Sequence, residues 1–392
     1  MSAQAQRRPE EAVVRRAWWA TLVLFLLHGL IVSTWVSRIP AIQLSLHLNN
    51  GVLGVTLLGS ALGAVTAIPF TGALINRFGS HLVSIWATIW FSMTLIGLAL
   101  AVNAATLATA LLLFGAGAAT MDVAMNAQGV EVEKVLGTPT MSRFHGMFSL
   151  GAMIGAGIGG GIASRGVPPL PQFALSSAVY IAAAILAGFW LLRTHADVIP
   201  GAHRLPLRKI PPVLLALSAI GFCILLAEGA MADWTAVYLK QVLNAGQGTA
   251  AAGYSVFSAA MAIFRFLGDW ITLRLGPLRA VRAGSLLAAA GLLWALSVHS
   301  PLWAMPGLAA VGAGFSVIIP LVFGSGGRVK GVSPGVGIAT VTGLGYVGFI
   351  VGPPAIGFAS QLFTLRYGLG VVVVCCLVSA ALSGALRRSG DE

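Results

Sequence analysis

Twelve apolar runs, each about the length a lipid bilayer demands, succeed one another along the chain, and this succession restricts its fold more than any single motif. A helix needs about 20 predominantly apolar residues to cross the hydrocarbon core. The first six runs lie at residues 17–38, 51–75, 80–102, 105–130, 142–164 and 171–192. The second six lie at 212–240, 249–273, 278–298, 302–327, 333–362 and 367–386. Between the two sets, residues 193–211 form a polar connection carrying His195, Asp197, His203, Arg204, Arg208 and Lys209. The expected fold is all-α and membrane-integral: twelve transmembrane helices in two six-helix bundles, residues 17–192 and 212–386. Short tails at 1–16 and 387–392 flank them. With 57% hydrophobic and 9% charged residues, a water-soluble globule is excluded, because its charged share is about a quarter.

The 23 basic residues against 11 acidic ones would suit nucleic acid if they gathered on one soluble face. They are dispersed among the loops instead, so no nucleic-acid partner is expected. With the N-terminus in the cytoplasm, 18 of the 23 Lys and Arg fall on cytoplasmic ends or loops. Arg38, Arg165, Lys240 and Arg366 lie outside, and Arg265 lies within helix 8. Basic loops resist translocation, so both termini are expected to be cytoplasmic. Arg7, Arg8, Arg15 and Arg16 precede the first run without a small-residue cleavage signal, and that span is expected to be retained. Cys223, Cys375 and Cys376 are odd in number and sit in apolar runs, which gives no disulfide framework and no zinc site.

An internal repeat at an offset of 197 residues divides the chain. Arg77 and Gly79 recur as Arg274 and Gly276; Gly115 and Gly117 recur as Gly312 and Gly314; Gly151, Gly155 and Gly160 recur as Gly348, Gly352 and Gly357. Two parallel six-helix repeats resemble the major facilitator superfamily, in which substrate binds near the midplane between halves that rock. The stretch Gly72-Ala-Leu-Ile-Asn76-Arg77-Phe-Gly79 is similar to that family's loop signature, with Asn76 where an Asp is usual, and Gly268-Asp269 with Arg274-Leu-Gly276 echoes it. In helix 4, Gly115 to Asn126, with Asp122 four residues before Asn126, resembles the fucose permease branch. Residues 121–133 with Ser142-Arg-Phe-His145-Gly are similar to bacterial YbjJ-type permeases. The resemblance implies a secondary active transporter of a small polar solute, such as a sugar or related metabolite, by proton symport in the bacterial inner membrane. It also implies a single chain acting as a monomer without a cofactor. Arg38 near the outer end of helix 1, where the fucose permease carries an acid, argues against carrying over that sugar.

Asp122 is the first candidate for proton coupling, because a carboxylate inside a bilayer is costly unless paired, hydrated or protonated. Asn126 stands one turn away and can bond the acid or a polar substrate, and an interhelical polar clasp is the bland alternative. In helix 7, Glu228 is the deeper acid and a candidate for proton or substrate; Asp233 is nearer the outside, about 140° around the helix. Trp234 and Tyr238 share a face that suits stacking on a ligand or, equally, an interfacial aromatic belt. His28 and Trp35 fall on one face of helix 1 as further substrate candidates, with a neutral His28 satisfied by a neighbouring helix an equal alternative. The gating candidates are Arg38, Asn76, Arg77, Gly79, Glu131, Glu133, Arg143, His145, Arg265, Asp269 and Arg274. Arg265 and Asp269, one turn apart, are placed to pair locally, whereas for Arg38, a candidate to attract an anion or close an external gate, snorkelling to the interface is the commoner outcome. Glycine-rich faces of helices 5 and 11 allow close approach, and Pro353-Pro354 is expected to break or kink helix 11.

A membrane enzyme would need a nucleophile with its base, or a metal cluster. His28, His145 and His299 are scattered, no HExxH or serine elbow occurs, and Gly326-Gly327-Arg328 lacks the ending of a phosphate loop. The chain is therefore expected not to be an enzyme. Two other functions stand beside symport: efflux of a drug or metabolite in exchange for protons, and a non-transporting sensor with the same fold.

Overall fold

The computed structural model describes residues 11–138, 140–193 and 210–388. Most of the expected polar connection, with the six ionisable residues named in it from His195 to Lys209, lies outside the described residues, as do residues 1–10 and 389–392. Helices dominate what is described, because the bilayer interior offers backbone groups no partner and each span must satisfy its own.

Span 1 is Glu11–Val36, followed by a short helix Ile39–Ser45 that starts with Pro40 in its first turn. Spans 2 and 3 form one segment, Asn50–Ala99, interrupted by non-helical dihedrals at Gly79. Spans 4, 5 and 6 are Ala104–Leu136, Met141–Ser164 and Pro169–Gly188; span 7 is Pro212–Gln241. Span 8 comprises Gln247–Phe266 and Gly268–Leu275, bent by 61° at the break. Span 9 is Pro277–Ser297. Span 10 comprises Pro301–Phe315 and Ile318–Gly326. Spans 11 and 12 are Pro334–Leu362 and Leu365–Leu382. Dividing the long segment at Gly79 and joining the bent pair yields the twelve crossings that the hydropathy pattern predicts.

Two of these interruptions have a local cause. Span 10 breaks where Pro320 lacks the N–H that would bond the Ser316 carbonyl. Span 8 breaks where Gly268, a poor helix former, follows Leu267. Of the two expected effects of Pro353 and Pro354, a break does not occur, since the helix of span 11 runs through both. There the neighbouring span 2 packs its Gly54 against Pro353 and Gly357, so tertiary contact supports the backbone that proline weakens.

The 197-residue repeat recurs in geometry. Gly79 has φ 80° and ψ 151°, and its counterpart Gly276 has φ 73° and ψ 159°, a turn that a side chain would strain. Gly115 lies against the backbone of Ser60 and Gly312 against that of Phe257, so the contacted residues are also 197 apart. These glycines let helices approach backbone to backbone. Within the first half, span 4 packs on spans 2 and 3 and span 1 on span 5; within the second, span 11 packs on span 7 and span 10 on spans 8 and 9. The halves meet mainly where span 5 lies along span 8 and span 2 along span 11.

Replacing Gly115 or its counterpart Gly312 by Val forces a side chain into facing backbone in either half. Each change should lower stability by about 1–3 kcal/mol, measured by thermal unfolding of the purified protein in detergent. Gly97→Ala, where the new Cβ would meet only Ala110 at 3.9 Å, should be neutral or mildly stabilising.

Candidate functional site

Among the described residues, three side-chain hydrogen bonds join the halves. They run from the end of the bundle opposite residues 11 and 388 toward its middle. Gln241 Nε2 donates to Gln43 Oε1 at 3.0 Å, Ser255 Oγ to the Met153 carbonyl at 2.8 Å, and Arg265 Nη1 to Ser149 Oγ at 2.8 Å. Close glycine seams reinforce that end: Gly160 against Gly248 and Gly54 against Gly357. At the end that bears residues 11 and 388, the described charged residues are not paired across the halves, whose ion pairs are Lys134–Glu131 and Arg265–Glu228. Among the described residues, side-chain hydrogen bonds thus clasp the halves at one end and no ion pair latches them at the other.

A group of ionisable side chains lies at mid-span between the halves. Arg265 of span 8 also reaches Glu228 of span 7, at 3.4 Å, and both side chains are largely buried. Asp122 of span 4 is half-buried. Asn126 Nδ2 donates to its carboxylate at 3.2 Å and to its backbone carbonyl at 2.8 Å. Tyr346 of span 11 stands within electrostatic reach of both Asp122 and Glu228. Tyr254 of span 8 stands within reach of Glu228, Asp233 and Arg265. Acids from spans 4 and 7 and phenols from spans 8 and 11 therefore converge on one interior region. Asp122 and Asp233 have no cationic partner among the described residues. Two shallow depressions near Ser164 and Thr249 lie away from this region and hold no ionisable group.

Several expected site residues lie elsewhere. His28 and Trp35 do share a face, but that face turns into the first half. The His28 ring packs between Phe91 and Phe148, its Nε2 lies 3.2 Å from the Ala118 carbonyl, and Trp35 is buried near Phe114. Trp234 is fully buried and Tyr238 donates to the Ala295 carbonyl at 3.0 Å, so this pair serves the core of the second half. Neither the stacking platform nor the interfacial belt describes them. A face shared along a helix does not say which neighbour it meets.

The gating candidates divide in the same way. Arg38 does not snorkel: it is 1% exposed, and it donates from Nε to Gln172 Oε1 at 2.6 Å and from Nη2 to the Val167 carbonyl at 2.9 Å. The expected Arg265–Asp269 pair does not form, because the helix breaks between them, leaving Asp269 exposed in the first turn of the next helix while Arg265 turns to Glu228 and Ser149. Asn76 and Arg143 are exposed, and Arg77 and Arg274 lie over the rings of Phe78 and Trp270. Glu131 pairs with Lys134 on its own helix. Glu133 accepts from the backbone N–H groups of Thr140 and Met141, capping the start of span 5. His145 is exposed one turn before Ser149, within electrostatic reach of Arg265.

Sequence reasoning missed Ser149, Tyr254 and Tyr346. Each is an uncharged polar group flanked by apolar and small residues, and the signal that could have found Tyr346 is its position inside the glycine-rich face of span 11, between Gly345 and Gly348. Removing the amide that holds Arg38 by Gln172→Leu should destabilise the protein by about 1–3 kcal/mol, because a buried donor loses its acceptor. The exposed Arg77→Gln should change stability by less than about 0.5 kcal/mol, both read from the thermal unfolding midpoint.

Comparison with known proteins agrees with this architecture. The family model described as Major Facilitator Superfamily matches residues 20–331. An uncharacterised MFS-type transporter of Yersinia pestis is 35% identical over 370 residues, spanning 94% of this chain and 95% of that protein. Among solved structures, the nucleoside transporter NupG aligns with a TM-score of 0.69 at 15% identity, covering 95% of this chain and 99% of that one. The E. coli fucose:proton symporter FucP, in a variant form, aligns with a TM-score of 0.64 at 17% identity, covering 96% and 98%. A family match over most of its length, a relative alike from end to end, and paired six-helix bundles meeting at a polar interior make this chain a member of the major facilitator superfamily, a family of transporters and not of enzymes.

Proposed function

We propose that the protein moves a small polar solute, a sugar or related metabolite, by alternating access coupled to proton symport. The observation that carries this reading is Asp122: an intramembrane carboxyl group that accepts from Asn126 and, among the described residues, has no cation paired with it. An ionised carboxylate resists enclosure, because closing the halves around it strips its water and returns no counter-charge. A proton removes that charge, so loading Asp122 lowers the cost of closing the halves around bound solute. Discharge of the proton on the far side then favours reopening. Glu228 is the second proton group, and Asn126, Glu228 and Asp233 offer hydrogen bonds to hydroxyl groups of a polar solute. The likeness to a fucose:proton symporter and a nucleoside transporter supports a polar, hydroxyl-bearing cargo.

The bundles at residues 17–192 and 212–386 act in this reading as the rocking bodies of a monomer. The excess of Lys and Arg at one end supports placing both termini in the cytoplasm, with the protein in the bacterial inner membrane. A second reading, proton-driven efflux of a cationic amphiphile, is favoured by one feature: among the described residues, Asp122 and Asp233 have no cationic partner, and each lies within electrostatic reach of a tyrosine, Tyr346 and Tyr254. The two readings differ in the direction of flux for a given pH gradient.

Flux measured in proteoliposomes with an imposed pH gradient tests both. For a transported solute, an inward proton gradient should accelerate uptake by the wild-type protein, and Asp122→Asn should abolish that acceleration while leaving exchange at equal pH on both sides. Gradient-driven uptake that survives Asp122→Asn unchanged rejects Asp122 as the coupling group. Failure of sugars, nucleosides and cationic drugs alike to move or bind would favour a sensor.

A further inference from the structure

Arg265 is the one described ionised side chain whose hydrogen bonds reach into both halves, and the other two bonds between the halves involve only neutral groups. Its two contacts are unequal in kind. Glu228, in its own half, supplies the counter-charge at 3.4 Å; Ser149, in the other half, supplies a neutral acceptor at 2.8 Å. A guanidinium presents its donors in a rigid planar fork, so the contact with the carboxylate fixes where the remaining donors point. A lone hydroxyl could not hold a cation at membrane depth, where an unpartnered charge is costly. The bond across the halves therefore depends on a carboxylate that does not itself touch the other half.

We propose that Arg265 is a positioning residue that ties the charge on Glu228 to the contact between spans 5 and 8. The ionised Glu228 aims the guanidinium at Ser149 and holds the halves in the arrangement seen here, and neutral Glu228 frees it. Charged and titratable groups bear on this switch from spans 4, 5, 7, 8 and 11, whereas the helices of span 10, which also packs on span 8, carry none. Tyr254 shares span 8 with Arg265; Tyr346 approaches from span 11, with Asp122 of span 4 beyond it; His145 approaches from span 5; and Asp233 lies further along span 7. Once Glu228 is neutral, Asp122 and Asp233 are the remaining carboxylates able to draw the cation, and neither pull is directed at Ser149. The proposal rests on reading Glu228 as a group that changes charge during transport, but it concerns conformation and needs no solute.

The test is a spin-label distance measurement in lipid nanodiscs, without solute or gradient. Labels are placed through Ser142→Cys and Leu273→Cys, exposed positions on the unlatched ends of spans 5 and 8. Cys223, Cys375 and Cys376 are replaced by Ala. The unsubstituted switch should show mainly the long distance. Glu228→Gln and Ser149→Ala should each reduce the ratio of long to short populations by about tenfold, the scale of one charge-assisted hydrogen bond. Ser149→Thr, which keeps the hydroxyl, should restore the ratio. The double variant should shift no further than either single one, because both act through one bond. If Glu228→Gln leaves the distribution unchanged, or if the double variant shows the product of the two single effects, the proposal is wrong. Because Asp122 is intact throughout, an Asp122 that fails to couple protons would leave these results readable.

Discussion

Lipid hydrocarbon gives a backbone or a charge nothing to bond with, and the rest of this structure follows from that deficit. Each span closes its own backbone hydrogen bonds as a helix. The few residues that interrupt a helix lie where a turn, a neighbouring span or another polar group replaces what the interruption removes. Gly79 and Gly276 turn the chain with dihedrals that only glycine adopts at little cost. Pro353 and Pro354 persist inside span 11 because span 2 packs closely against them.

The same deficit decides where ionisable groups can live. Arg38 survives inside the first half because an amide and a carbonyl satisfy it. Arg265 survives between the halves because Glu228 neutralises it and Ser149 takes a second donor. Among the described residues Asp122 has neither a cation nor a second side chain and keeps Asn126, which is why its protonation state carries the proposed coupling. Between the bundles, charge is both tolerated and, at Asp122, not paired with a cation among the described residues, a combination that in the proposed mechanism lets a small change in charge bias a large movement.

How much was legible in the sequence depends on the range of the force involved. The spans were legible because the need for about 20 apolar residues acts within one segment. The repeat was legible because glycines at helix crossings are demanded by backbone approach, and Gly115 and Gly312 do meet counterparts 197 residues apart. Asp122 and Glu228 stood out because any intramembrane acid does. Trp234 and Tyr238 misled because a shared helical face specifies direction only relative to its own helix, and their face met the second half's core. The Arg265–Asp269 pairing failed for a different reason: it assumed an unbroken helix where Gly268 allowed a 61° bend.

The sequence by itself determined a membrane-embedded, twice-repeated helical chain and the identity of its few intramembrane charges, since hydropathy, length and repetition are properties of single segments. Only the tertiary structure decided which of those charges meet. Partner choice between Arg265, Glu228 and Ser149 comes from helices far apart in the chain. It is settled by packing and by the cost of leaving a charge alone in a low-dielectric interior, quantities that no local pattern encodes.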